Sequence, residues 1–159
     1  MELDIYEMAE DNAIKKMKLL IEQGVSVNKK NEFGFSPLHL AISNEHEEMS
    51  LLLLNAGSNG KIQDDNGFTA LHYAAEYGLY TVANNILEKT PEALHVENDH
   101  GNQPLWTAIF NTDRKYKLVS LFISFNPNIN HKNKVGKSPL DMAKNRNSNE
   151  LVNILLQAN

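Results

Sequence analysis

The sequence predicts an all-α solenoid of about five stacked helix pairs joined by short, hairpin-like loops, and three observations carry that expectation. One hexapeptide recurs four times, as SPLHLA at 36–41, TALHYA at 69–74, QPLWTA at 103–108 and SPLDMA at 138–143. The first residues of these copies are 33, 34 and 35 apart, with a glycine two places before each: Gly34, Gly67, Gly101 and Gly136. Self-similarity at a period near 33 marks a chain of stacked repeats, in which each unit buries its apolar face only against its neighbours. Five further stretches, IKKMKLLIEQG, EEMSLLLLNAG, YTVANNILEKTP, YKLVSLFISFN and NELVNILLQAN, place apolar residues at helical spacing and supply the second helix of each pair.

Each position of the hexapeptide has a physical reason. Ser36, Thr69 and Ser138 offer a side-chain oxygen to an unpaired N–H of the first helical turn. Pro37, Pro104 and Pro139 follow at the first helical position, where a missing N–H costs nothing and φ is already helical. Leu38, Leu71, Leu105 and Leu140 are expected in the core, and Ala41, Ala74, Ala108 and Ala143 let neighbouring helices approach closely. The preceding glycines supply a turn conformation that other residues avoid. Three departures stand out: Ala70 replaces proline, Gln103 replaces the hydroxyl, and the position of His39 and His72 becomes Trp106 and then Asp141.

Ten residues before each motif glycine stand Gly24, Gly57, Pro91 and Asn126. Glycine and asparagine tolerate the left-handed helix cap. Proline does not, so KTPEALHVEN is predicted to take a path of its own. The span Pro104–Asn126 is two residues longer than Pro37–Gly57, and the insertion is placed in NTDRK at 111–115. The expected organisation is one domain, 1–159, with units at about 1–31, 32–64, 65–98, 99–133 and 134–159. The first unit, led by LDIYEMAEDN, and the last, with Asp141, Lys144, Asn145 and Arg146, act as polar caps.

With four glycine-plus-hexapeptide copies in register, the chain resembles the ankyrin-repeat family over essentially its whole length. The resemblance implies that His39 and His72 bond to their own cap hydroxyl and to the backbone of the next unit. It also implies that residues around each motif glycine form hairpin tips, while the end of each first helix lines a concave face. Carried over position by position, that surface holds Glu32, Phe33, Phe35, Ser43 and Asn44 in the second unit. It holds Asp65, Asn66, Phe68, Glu76 and Tyr77 in the third, and Asp99, His100, Asn102, Phe110 and Asn111 in the fourth. The fifth unit contributes Lys134, Val135, Lys137, Asn145 and Arg146. Exposed aromatic clusters mark binding sites, so these positions are the expected partner-binding surface.

Composition narrows the function. There is no cysteine, which excludes disulfides, thiolate metal sites and cysteine nucleophiles. The longest aliphatic run is Leu51–Leu54, against the roughly 20 residues of a membrane span. The start, MELDIYEMAEDN, lacks the basic and apolar regions of a secretory signal, so a cytoplasmic location and no membrane contact are expected. The net charge of −5 divides into 17 acids and 7 bases over residues 1–100 and 3 acids and 8 bases over 101–159. That acidic balance argues against nucleic-acid binding, which depends on cations neutralising phosphates. The acid pairs Asp64–Asp65, Glu47–Glu48 and Glu10–Asp11 read as solvated faces, and HEE at 46–48 lacks the second histidine of a helical zinc site. No nucleophile elbow, phosphate loop or dinucleotide fingerprint is present. No catalytic residue, metal or cofactor is therefore expected, and the chain is not expected to be an enzyme.

The expected function is protein–protein binding through the concave face and loop tips by a chain that is monomeric alone. The chain looks like free-standing bacterial ankyrin proteins, some of which are immunity proteins that block a cognate toxin. An acidic concave face suits a basic toxin domain, because electrostatic complementarity speeds capture. The alternative is a regulatory scaffold or host-directed effector, also acting by protein interaction.

Overall fold

The computed structural model describes residues 4–111 and 116–158. Among these residues there are ten α-helices and no β-strand. The helices are α1 (Ile5–Glu10), α2 (Ile14–Glu22), α3 (Pro37–Ser43), α4 (Glu47–Asn55), α5 (Ala70–Glu76), α6 (Tyr80–Lys89), α7 (Pro104–Phe110), α8 (Lys117–Ile123), α9 (Pro139–Asn145) and α10 (Asn149–Leu155). Each odd-numbered helix packs on the even-numbered helix that follows it, which makes five pairs. The odd helices also pack on one another in sequence order, as do α4, α6, α8 and α10, so the pairs stack into two layers. The core runs continuously between them through Leu38, Ile42, Met49, Leu53, Leu71, Ile86, Leu105, Ile109 and Phe122, all essentially inaccessible to water. A buried aliphatic side chain of this kind stabilises the fold by about 1.5–3 kcal/mol.

The caps follow the motif closely. Ser36, Thr69 and Ser138 each accept from the backbone N–H three residues on, and Pro37, Pro104 and Pro139 sit in the first turn. Ala41, Ala74 and Ala143 are wholly buried, and Ala108 nearly so, where adjacent odd helices touch. Leu140, on the last odd-numbered helix of the described residues, is only half-buried. Gly24, Gly57 and Asn126 adopt left-handed backbone with φ of 78°, 92° and 54°. Pro91 instead opens a 3-10 helix, Pro91–His95, whose Ala93 and Leu94 return to the core. The predicted insertion at 111–115 lies, apart from Asn111, outside the described residues.

Between α3 and α4 the chain turns through Glu45 at φ 58°, the position that Asn12, Gly78 and Asn147 occupy in other pairs. Glutamate is poorly suited to left-handed backbone, which costs a residue with a Cβ about 1–2 kcal/mol. Substituting Glu45→Gly is expected to raise stability by about 1 kcal/mol in urea denaturation, and an unchanged midpoint would refute the strain. The motif glycines separate two effects. Gly67 and Gly136 have φ of 79° and 73°, but only at Gly67 would a Cβ meet backbone, 2.9 Å from both Asn98 Cα and Asp99 N. Gly136→Ala is expected to lose about 1 kcal/mol from φ alone, and Gly67→Ala distinctly more. Equal losses in the same denaturation series would show that contact between pairs does not constrain the glycine.

Candidate protein-binding surface

The hairpin tips are organised by a side chain that the hexapeptide reading passed over. Asn31, Asp64, Asn98 and Asn133 lie three residues before the four motif glycines, at the same 33, 34 and 35 spacing. Each uses one side-chain oxygen to accept two backbone N–H groups: Phe33 and Phe35, Asn66 and Phe68, His100 and Asn102, Val135 and Lys137. Short polar side chains fold back on nearby backbone in this way and hold turns. Asp64 goes further. It is buried, and its second oxygen accepts from the Tyr73 hydroxyl at 2.6 Å, so its reading as a solvated acid is corrected. Burial first, and the hydrogen bond to Asp64 second, push the Tyr73 hydroxyl above its ordinary value.

His39 and His72 are buried and spent on structure. The Ser36 backbone N–H donates to His39 Nδ1 at 3.1 Å, with the Ser36 hydroxyl 2.8 Å from the same nitrogen. Nδ1 is therefore the acceptor, and Nε2–H donates to the Phe68 carbonyl of the next pair at 3.2 Å. His72 repeats the arrangement with Thr69 and reaches the Asn102 carbonyl at 2.9 Å. In the fourth pair Trp106 cannot accept, and Gln103 forms no side-chain cap but donates to the His95 carbonyl. The joint to the fifth pair is made instead by His131 Nε2 to the Gly101 carbonyl and by Asn133 to the Asn102 side chain. Asp141 instead accepts from Ser138 N at 3.0 Å. That bond and the one to the Ser138 hydroxyl hold its carboxyl below the usual range.

The predicted surface residues divide into two groups. Glu32, Phe33, Asp65, Asn66, Glu76, Tyr77, Asp99, His100, Phe110 and Asn111 are exposed, with Phe33 at 67%, Phe110 at 62% and Tyr77 at 38%. Phe35, Phe68 and Asn102 are half-buried, which corrects their expected outward orientation. The Phe35 ring meets His39 edge-on at 6.4 Å and the Phe68 ring meets His72 at 5.5 Å, because the backbone bonds at the tip draw both toward the helix behind. Asp65 is exposed but engaged: Lys30 Nζ lies 3.1 Å away, and the carboxylate sits where a Cβ on Gly34 would have to go. Two hollows open beside α5 and α7. One, of about 430 Å³, is bordered by Phe68, Glu76, His100, Asn102, Trp106 and Phe110. The other, of about 350 Å³, is bordered by Glu76, Tyr77, Tyr80 and Lys117, whose ammonium lies 4.2 Å from the centre of the Tyr80 ring. Among the described residues no three histidine, aspartate or glutamate side chains converge on a metal position. No helix there is long and apolar enough to cross a membrane.

Burial pulls the His72 imidazole down to about 4 and moves His39 in the same direction. A proton on Nδ1 would also face the donating N–H of the cap residue. The unfolded chain therefore binds more protons than the folded one, so stability is full above pH ~6.5 and is lost as pH falls toward about 4. On the order of 2 kcal/mol should disappear between pH 7 and 5. Urea denaturation across that window checks this, and the doubly substituted His39→Gln, His72→Gln chain should show a flatter profile than the parent.

A family model described as ankyrin repeats (3 copies) matches residues 5–94, more than half of the chain. Rabankyrin-5 of Mus musculus is 28% identical over 143 residues, which cover 89% of this chain and 12% of that protein. The phosphocholine transferase AnkX of Legionella pneumophila is 26% identical over 114 residues, 70% of this chain and 12% of that protein. The ankyrin repeat protein YahD of Escherichia coli (strain K12) is 24% identical over 145 residues, 89% of this chain and 72% of that protein. This chain thus spans only a small part of rabankyrin-5 and AnkX. The matched family model, the inward-bonded motif histidines and the stacked helix pairs agree, and the chain belongs to the ankyrin-repeat family.

Proposed function

We propose that residues 1–159 act as one non-catalytic protein-binding domain whose partner docks on the edge formed by the hairpin tips and the ends of the odd helices. Ankyrin repeats are protein-interaction modules, and one observation supports the reading most. The motif's polar residues are turned inward, while Phe33, Tyr77 and Phe110 stay exposed on the edge that also carries Glu32, Glu76 and Asp99. Exposed rings beside uncompensated acids favour a partner that presents a basic surface with an apolar anchor. The narrower reading is that this partner is a basic toxin domain, which the chain neutralises in the cytoplasm as an immunity protein. The surplus of acids over residues 1–100 supports a basic partner, since Asp65 is the one acid of this edge already matched by a lysine among the described residues.

Capture from a lysate of the native cell, with mass spectrometry, tests the proposal when the parent is run beside Tyr77→Ala and Phe110→Ala. Both side chains are exposed, so the variants should keep their helical circular dichroism. A basic protein should be retained by the parent, and each substitution should weaken it by about tenfold or more. Retention that neither substitution changes would place the binding surface elsewhere. A captured partner without nuclease or other toxic activity would remove the immunity role and leave the binding function in place.

A further inference from the structure

We propose that the 430 Å³ groove between the third and fourth helix pairs seats an arginine side chain presented by the partner protein. The inference rests on the protein-binding reading above and adds the chemistry of the anchor. The repeat plan explains why a groove opens here. In the second and third pairs the fourth motif residue is a histidine folded onto its cap, but in the fourth pair it is Trp106, half-buried and lining the groove. One helical turn along the same face stands Phe110, 62% exposed, and Glu76 holds the corresponding place on α5. Phe68, His100 and Asn102 also line the groove.

Three aromatic side chains and a carboxylate around one hollow of this size form a site for a flat cation. The volume falls within the about 300–1,000 Å³ of small-ligand sites. A guanidinium is planar, stacks on aromatic faces and can place two parallel N–H bonds on a carboxylate. A lysine ammonium is more compact and more strongly hydrated, and gains less from flat walls. Among the described residues Glu76 has no ion-pair partner. Among the described residues, Lys117 lies over Tyr80 in the adjoining hollow, and Arg146 donates to the Phe110 carbonyl at 2.6 Å. An incoming guanidinium would therefore meet, among the described residues, an acid without an ion-pair partner, beside the half-buried rings of Phe68 and Trp106.

Trp106 is the single tryptophan of the chain, so its indole fluorescence reports directly on this groove. The probes are the capped tripeptide Gly-Arg-Gly and its citrulline and lysine counterparts, which carry no fluorescence of their own. The arginine peptide should change Trp106 emission saturably, and the citrulline and lysine peptides should bind at least about fivefold more weakly. Glu76→Gln, at an exposed position, should keep its circular dichroism and lose about tenfold in arginine affinity. Equal affinity for citrulline or lysine, unchanged affinity in Glu76→Gln, or no saturable response would overturn the arginine seat. If the parent still captures its protein partner in that case, the protein-binding reading stands without it. Arginine binding with no captured partner would do the reverse, keeping the seat and removing the broader reading.

Discussion

One histidine crosses each of the four joints between helix pairs, and the register of the whole stack depends on these bonds. His46 reaches the Glu10 carbonyl at 2.8 Å, His39 reaches Phe68, His72 reaches Asn102 and His131 reaches Gly101. Apolar packing between helices is strong but indifferent to small slips, whereas a bond to one particular carbonyl is not. Each such bond contributes only about 1 kcal/mol net. For the buried His39 and His72 the larger effect is to leave a buried donor unmatched whenever the pairs sit out of register, which costs about 1–3 kcal/mol. The motif's tight spelling reflects that asymmetry. The hydroxyl, the histidine and the following alanine must all be right for the ring to reach across.

The same economy decides what the surface has to offer. Polar groups that look available in the sequence, such as Asp64, His39, His72 and Asn102, are committed to turns and joints. Among the described residues, the exposed groups at the tips and helix ends include the rings of Phe33, Tyr77 and Phe110 beside Glu32, Glu76 and Asp99. Their charge is local. Asp65 is screened by Lys30 in an exposed pair of the kind that adds little stability, while Glu76 and Asp99 stand without such a partner among the described residues.

Much of this was legible in the sequence. The period placed the helices, Ser36, Thr69 and Ser138 placed the caps, and Pro91 announced a local exception that became the 3-10 helix. The orientations of Phe35 and Phe68 were not legible. A residue beside the motif glycine can point outward or back, and the choice is made by two side chains distant in the pattern: the tip aspartate or asparagine that binds its N–H, and the histidine ring it rests on. A scan for Asn or Asp three places before each glycine would have exposed the first of these. The grooves escaped for another reason. The 430 Å³ groove opens where Trp106 stands in place of its histidine counterparts, and such a mismatch has no shape until the neighbouring pair is present.

The confinement of the motif histidine to the two middle joints has a consequence for how the stack comes apart. The two middle joints carry a buried histidine, His39 or His72, whereas the outer two are held by His46, whose bond to Glu10 is exposed, and by His131, half-exposed and also 3.2 Å from Glu97. Water and salt compete with those outer joints and reach the two buried histidines far less. Amide hydrogens of α1, α2, α9 and α10 should accordingly exchange before those of α5, and fraying should advance from both outer pairs before it reaches the middle of the molecule.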